Sequence, residues 1–367
     1  MAETTDAAGA TQLIPLNFSD LAGWPDDDHA DGFAAFRRSA AESAWHPPKA
    51  RGLGIDAGAL AAVLARAAGL TGTLPAGEAR AFFETMFRPR EVVPPAGRGF
   101  FTGYYEPEVA GSRMRTDAFT VPLHAVPDDL VEFDPAEAPP GLDPALRFAR
   151  RTADGLAEHA DRGAIMAGAL DGRGLELVWL ADPVDAFFIH IQGAARIRLA
   201  DGTTLRLTYA AKTGHPYTPI GRVLIGRGAL QPGTATMPAI RAWLADHPQD
   251  AAAVMAANRS YIFFREAPAT DPALGPVAAA KVPLTPGRSL AVDRLLHSFH
   301  LPVWVETTLP GGASFSRLMI AQDTGSAIVG PARGDIFFGS GEAAGAIAGA
   351  MSAPGRFVVL DPVGGAA

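Results

Sequence analysis

The chain has 367 residues, 48% of them hydrophobic, with 31 Lys and Arg against 39 Asp and Glu and a formal net charge of -8. That length allows two ordinary domains with sizeable cores, and the acidic balance, with no basic stripe interleaved with aromatics, excludes nucleic acid or any partner held mainly through phosphates. The absence of cysteine excludes disulfides, thiolate metal sites and a Cys nucleophile, without fixing a compartment.

From Met1 to Leu21 there is neither a positive n-region nor a long apolar run, so no signal peptide or membrane anchor is expected within the chain. No transmembrane span is expected later, because Ala-rich stretches such as Ala59 to Ala68 are short and carry Arg66. Residues 1–50, Pro-interrupted and marked by Asp26-Asp27-Asp28-His29, are expected as an irregular lead-in to the first domain. Asp56 reads as an N-cap with Leu60, Val63 and Leu64 at helical spacing behind it. A second helix is expected over Glu78 to Phe87, ended by Pro89, and Arg88 to Gly99 reads as a loop. After Phe100-Phe101 the pattern becomes β. Its clearest hairpin alternates Ile197 and Leu199 with Arg196 and Arg198, turns at Asp201-Gly202 and returns through Leu205, Leu207 and Tyr209. Residues 127–144 and 265–286 read as long loops and 237–257 as helix. Short strands follow at Val303 to Val305, Leu318 to Ala321, Ile336 to Phe338 and Phe357 to Leu360, with a helix over Glu342 to Met351.

The tail places Asp323 and Asp335 at opposite ends of a Gly-rich segment bordered by apolar strands. A carboxyl group there loses solvation, which raises its pKa and keeps it protonated as a general acid near neutral pH. Asp335, followed by Ile-Phe-Phe, is the stronger candidate; the alternative, that both are turn formers, stays open at this point. Phe101-Thr102-Gly103-Tyr104-Tyr105 suits stacking on sugar rings, or equally a strand end whose tyrosines pack inward. Phe188-Ile189-His190-Ile191-Gln192-Gly193 reads as an apolar strand ending in an amide and a glycine, suited to an acetamido group, a hydroxyl or a turn. Gly339-x-Gly341-x-x-x-Gly345 fails as a dinucleotide fingerprint, since too little chain follows it, and reads as glycines that let a helix pack closely. His297 and His300 lack a third ligand nearby, so no metal and no cofactor is expected. G-x-S-x-G, H-E-x-x-H and the Walker loop are absent.

Taken in order, Phe101 to Tyr105, Ile191-Gln192-Gly193, Tyr209 to Tyr217 with Lys212 inside it, Ile220 to Ile225, Asn258 to Phe264, Val282 to Arg294 and Asp323 to Gly341 resemble the membrane-bound lytic transglycosylase A family. The resemblance spans roughly 95–362. It implies a mainly β fold: a double-psi β-barrel with an inserted second β-rich domain and a few peripheral helices. The barrel would be built from residues 1–107 and the C-terminal 3D part, 269–367, with the insert at 108–268. The implied activity is that of a peptidoglycan lytic exotransglycosylase, a lyase that cuts between N-acetylmuramic acid and N-acetylglucosamine without water and leaves 1,6-anhydromuramoyl ends. Asp335 carries the family's catalytic acid and Asp323 its second Asp; Arg333-Gly334 stand before the acid where the family has a His-Phe pair. Thr102, Gly103, Tyr104, Tyr105, Gln192, Gly193 and Lys212 would line the glycan groove. Peptidoglycan strands are the expected partner, with a wall-remodelling complex as a further candidate, for a monomer in the periplasm associated with the outer membrane. A hydrolysing or merely binding barrel protein is the competing reading.

Overall fold

The computed structural model describes residues 11–95, 97–134, 138, 142–143, 146–268 and 271–364. It divides into two bodies, Met1–Tyr105 with Thr270–Ala367, and Glu106–Ala269. Strands β1 (Gln12–Pro15), β2 (Phe87–Val93) and β3 (Gly99–Glu106) come first. β4 (Glu108–Ser112), β5 (Val121–His124), β6 (Leu130–Glu132), β7 (Phe148–Thr152), β8 (Gly155–Ala157), β9 (Glu176–Leu180), β10 (Ala194–Arg198), β11 (Thr204–Lys212) and β12 (Ile262–Glu266) follow. β13 (Ser289–Val292), β14 (Pro302–Thr308), β15 (Ser314–Asp323), β16 (Arg333–Ser340) and β17 (Ser352–Pro362) end the order.

In the first body the strands form one sheet in the order β1-β2-β17-β14-β15-β13-β16-β3, and β3 also pairs with β17. Strands from the two ends of the chain are thus interleaved, β13 running parallel to β15 and antiparallel to β16. The core behind them is aromatic, with Trp24, Phe33, Phe36, Phe83, Phe101, Trp304 and Phe357 buried.

The expected lead-in is instead ordered. A helix covers His29–Ser43, capped by Asp28 accepting from the Asp31 amide, and Phe33, Phe36 and Ala40 supply the buried face at i, i+3 and i+7. The acidic run has structural work: Asp27 and Asp31 hold the buried Arg288 guanidinium at 2.7 and 2.8 Å, and Arg288 also donates to Leu318 O. The helix over Ala57–Ala68 starts at Asp56, whose carboxylate accepts from the Gly58 and Ala59 amides. Its successor spans Ala76–Met86. The segment read as a loop after it is largely β2, and Pro89 is tolerated in a ladder because its carbonyl, not the missing N–H, makes the bond to Leu16.

The second body has a sheet ordered β12-β11-β10-β4-β9-β5 and a smaller one, β6-β7-β8. The β10–β11 hairpin pairs Ile197 with Leu205 as the alternation requires. Its polar face is also covered: Glu106, fully buried, takes Arg196 at 2.7 Å and Arg206 at 2.9 Å. The stretch read as a strand ending at Gln192 is a helix, Pro183–Gln192, opened by the Asp182 cap with Pro183 at its first turn and closed by Gly193 at φ +80°. An apolar run with Ile and Phe does not distinguish helix from strand, whereas the Asp-Pro start and Gly stop do. Residues 237–257 are two helices, Met237–Asp246 and Pro248–Ala256, broken at His247-Pro248. The expected loop at 127–144 contains β6, and residues 135–137, 139–141 and 144 of it lie outside the described residues.

Candidate active site

Ala291 on β13 pairs with Asp335 on β16 and with Asp323 at the end of β15. Cross-strand partners point to the same face of a sheet, so the two acids flank one small side chain on adjacent strands. Both are partly buried. The turn-former reading gives way for Asp335, which lies inside a strand, and holds in part for Asp323, which closes a strand and accepts from two backbone amides.

Thr102 on β3 donates its hydroxyl to Asp335 Oδ1. Its donor role is fixed by Arg333, which has only protons to give and donates to Thr102 Oγ1 at 2.6 Å. Arg333 lies two residues before the acid on the same strand, hence on the same face, and its guanidinium also rests over the Phe100 ring. Burial raises the Asp335 carboxyl above the ordinary 3.8, against the lowering pull of Arg333 and of the Thr102 hydrogen bond.

Asp323 has different surroundings. Its Oδ2 accepts from the Tyr104 hydroxyl at 2.9 Å, and its Oδ1 accepts from the amides of Thr324 and Ala279 at 2.8 and 3.3 Å. Burial outweighs these donors and lifts its pKa to about 6, with the nearby Asp335 adding to the rise. Tyr104 and Tyr105 are each 8% exposed, so their rings are packed and Tyr104 reaches the site through its hydroxyl. Burial and the two carboxylates push that phenol well above its ordinary pKa.

Gly103 and Gly345 shape the wall. A Cβ on Gly103 would stand 2.6 Å from the Phe338 ring and 2.8 Å from Ala348 Cα, and one on Gly345 would stand 2.7 Å from the Tyr105 ring. The helix Gly341–Ala350 therefore presses directly on β3. Five of the expected site residues and Asp335 thus come together in the first body as far as they belong to it: Thr102, Gly103, Tyr104 and Tyr105 on β3, with Asp323 and Asp335 opposite. Gln192, Gly193 and Lys212 belong to the second body, where Gly193 joins helix to β10 and its carbonyl accepts from Tyr209. Sequence reasoning did not include Arg333 or Ala291 in the site. For Arg333 the available signal was a base at i−2 from the acid on a strand. His297 and His300 each spend one ring nitrogen on a backbone carbonyl, of Pro331 and His46, and among the described residues no cluster of three metal-capable side chains occurs.

Two domain families match the sequence: the MltA specific insert domain over residues 100–265 and the 3D domain over residues 288–361. The solved structure of a membrane-bound lytic murein transglycosylase from Agrobacterium tumefaciens is 45% identical, with 96% of this chain and 98% of that one covered at a TM-score of 0.87. MltA from Neisseria gonorrhoeae is 31% identical, covering 100% and 96%, at a TM-score of 0.79. Among curated proteins, the membrane-bound lytic murein transglycosylase A of Vibrio cholerae is 30% identical over 268 residues, 71% of this chain. The chain spans 64% of that relative's length. These matches cover both bodies, and the chain belongs to the membrane-bound lytic murein transglycosylase A family.

Proposed function

We propose that the protein is a peptidoglycan lytic transglycosylase in which Asp335 acts first as acid and then as base. The observation that carries this reading is the Arg333–Thr102–Asp335 relay around a carboxyl whose pKa burial has raised. Thr102 occupies Oδ1, so Oδ2 holds the acid proton and delivers it to the glycosidic oxygen between N-acetylmuramic acid and N-acetylglucosamine. The carboxylate so formed takes the proton of the muramoyl C6 hydroxyl as that oxygen attacks C1, giving the 1,6-anhydro end. Intramolecular attack needs orientation rather than an activated water. One acid thus serves where ordinary glycosidases need two. Asp323, held by Tyr104, orients the sugar or the neighbouring acid.

The names of the relatives support a periplasmic, outer-membrane-associated setting with glycan strands as substrate. Among the described residues no helix is long and apolar enough to cross a membrane. The β3–β17 pairing supports a double-psi barrel completed by the 3D part, with 108–268 as the insert; Gln192, Gly193 and Lys212 are its proposed contribution to glycan binding.

The test is mass spectrometry of muropeptides released from purified peptidoglycan by the protein and by Asp335→Asn. The expected products are one water lighter than reducing-end muropeptides and are lost in the variant, whose fold is retained. Reducing ends would mean a hydrolase with Asp323 as base, and a near-normal rate in the variant would remove Asp335 from its role.

A further inference from the structure

A different constellation lies wholly within the second body. A cavity of about 590 Å³ is lined by Arg162, His190, His124, Tyr261, Phe187 and Trp179 together with neighbouring residues. Its polar lining is deeply buried: Arg162 is 2%, His124 3%, His190 7% and Tyr261 3% exposed.

Among the described residues no carboxylate pairs with Arg162. Its Nε donates to Asn258 O at 2.9 Å, one terminal nitrogen to Ser260 O at 2.6 Å and the other to His190 Nδ1 at 2.9 Å. Burial lowers its pKa to about 10, so the guanidinium stays charged at neutral pH. The rings of Phe187 and Tyr261 lie 4.9 and 5.3 Å from the guanidinium carbon. A buried cation offset only by carbonyl dipoles and π faces remains costly, and an anion beside it would recover much of that cost. Three of the five guanidinium protons are accounted for, so donors remain.

His190 adds another. Arg162 can only donate, so His190 Nδ1 accepts and the ring proton is on Nε2. That atom is buried and has no protein partner. Burial and the adjacent Arg162 hold the ring neutral, which makes Nε2–H a fixed donor. His124 Nδ1 is engaged with the Tyr261 hydroxyl at 2.7 Å, and its Nε2 is likewise without a protein partner.

We propose that this cavity binds a small monocarboxylate, its oxygens taken by the remaining Arg162 N–H groups and His190 Nε2–H, its apolar part lying on Phe187 and Met255. The class follows from the rest of the lining. Asp171 and Glu176 share the cavity with Arg115, and the two carboxylates repel a polyanion such as phosphate more strongly than a ligand of single charge. A planar guanidinium matches a carboxylate in shape as well as sign. The proposal does not depend on the chemistry at Asp335, and its failure would leave that reading untouched.

Trp179, on the same lining, supplies the readout. The full chain is titrated with N-acetylalanine, with N-acetylalaninamide as its uncharged match and with inorganic phosphate, following tryptophan fluorescence. Saturable binding of the acid is expected. The amide and phosphate should bind at least about 10-fold more weakly, the loss expected when a charged hydrogen bond is removed, and the signal should vanish in Trp179→Phe. Arg162→Gln should weaken the acid by a similar factor. Equal binding of acid and amide, equal binding of phosphate, a signal that survives Trp179→Phe, or no saturation with the acid would each overturn the proposal. Should Arg162→Gln not fold, the comparison of acid with amide in the unaltered protein still decides the matter.

Discussion

Asp323 and Asp335 are the same residue on the two strands that flank β13, and what separates them is their company. Asp323 is held by a phenol and two backbone amides, whereas Asp335 has one threonine hydroxyl and a nearby guanidinium. If Arg333 lowers the Asp335 pKa, its removal raises it. Arg333→Met is therefore expected to move the alkaline limb of the kcat/KM pH profile upward by about 1 unit, with a lower kcat because Thr102 loses the bond that aims its proton. An unmoved limb would mean that Arg333 serves packing alone. Asp323 makes a prediction about stability. Its carboxyl titrates at about 6 in the folded chain against an ordinary 3.8, so between those values the folded state holds a proton that the unfolded state has lost. The stability this confers is complete below pH 3.8 and disappears as pH rises through about 6, amounting to about 3 kcal/mol. Urea unfolding at pH 4.5 and 7.5 should give Asp323→Asn a smaller loss of stability with rising pH than the parent chain; equal losses would refute the raised pKa. The desolvation of Asp335 was legible because an Ile-Phe-Phe strand follows it, whereas the roles of both acids were implied only by the family resemblance. Arg333 was not legible, because its role exists only once β16 lies beside β3 and brings Thr102 within reach.

At the scale of elements, two glycines decide whether the Gly341–Ala350 helix can seat on β3. Gly103→Ala would place a methyl against Phe338 and the backbone of Ala348, overpacking that costs about 1–3 kcal/mol. Gly345→Ala meets the Tyr105 ring instead and should cost a comparable amount. Thermal unfolding measures both, and each variant should also lose activity by shifting Thr102 away from Asp335. A stable, fully active Gly103→Ala protein would show that the helix is free to move aside. The sequence pattern predicted this helix and the β10–β11 hairpin because each signal was local: a Gly pair before an Ala-rich run, and a two-residue period around Asp201-Gly202. It failed where local signals were mixed. Phe187 to Ile191 carries residues that favour strands, but Asp182-Pro183 and Gly193 set helix boundaries that override them. His29–Ser43 was hidden because the acidic run before it reads as solvated, although Asp27 pairs with Arg288 from far along the chain.

The two bodies differ in how the chain builds them. The first draws on both ends of the sequence, so its core needs contacts such as Phe101 stacked on Phe357 at 6.0 Å, and strands from before residue 106 pair with β17. Such connectivity carries the loop-closure cost that slows folding, and no periodicity in the sequence reports it; the expectation of an interrupted domain came from the family resemblance. The second body is continuous and self-sufficient in its burial: Leu123, Ile189, Ile197 and Phe264 form one cluster, Phe187, Leu224 and Val254 another, and the buried Glu106 finds Arg196 and Arg206 within it. Residues 106–268 expressed alone are therefore expected to fold, with dispersed amide resonances and a single cooperative urea transition. A broad transition with poor dispersion would show that this body depends on the first for its structure. Because every residue lining the Arg162 cavity belongs to this segment, the isolated piece should bind N-acetylalanine as the full chain does while releasing nothing from peptidoglycan, which would separate the carboxylate site from the Asp335 chemistry in one preparation.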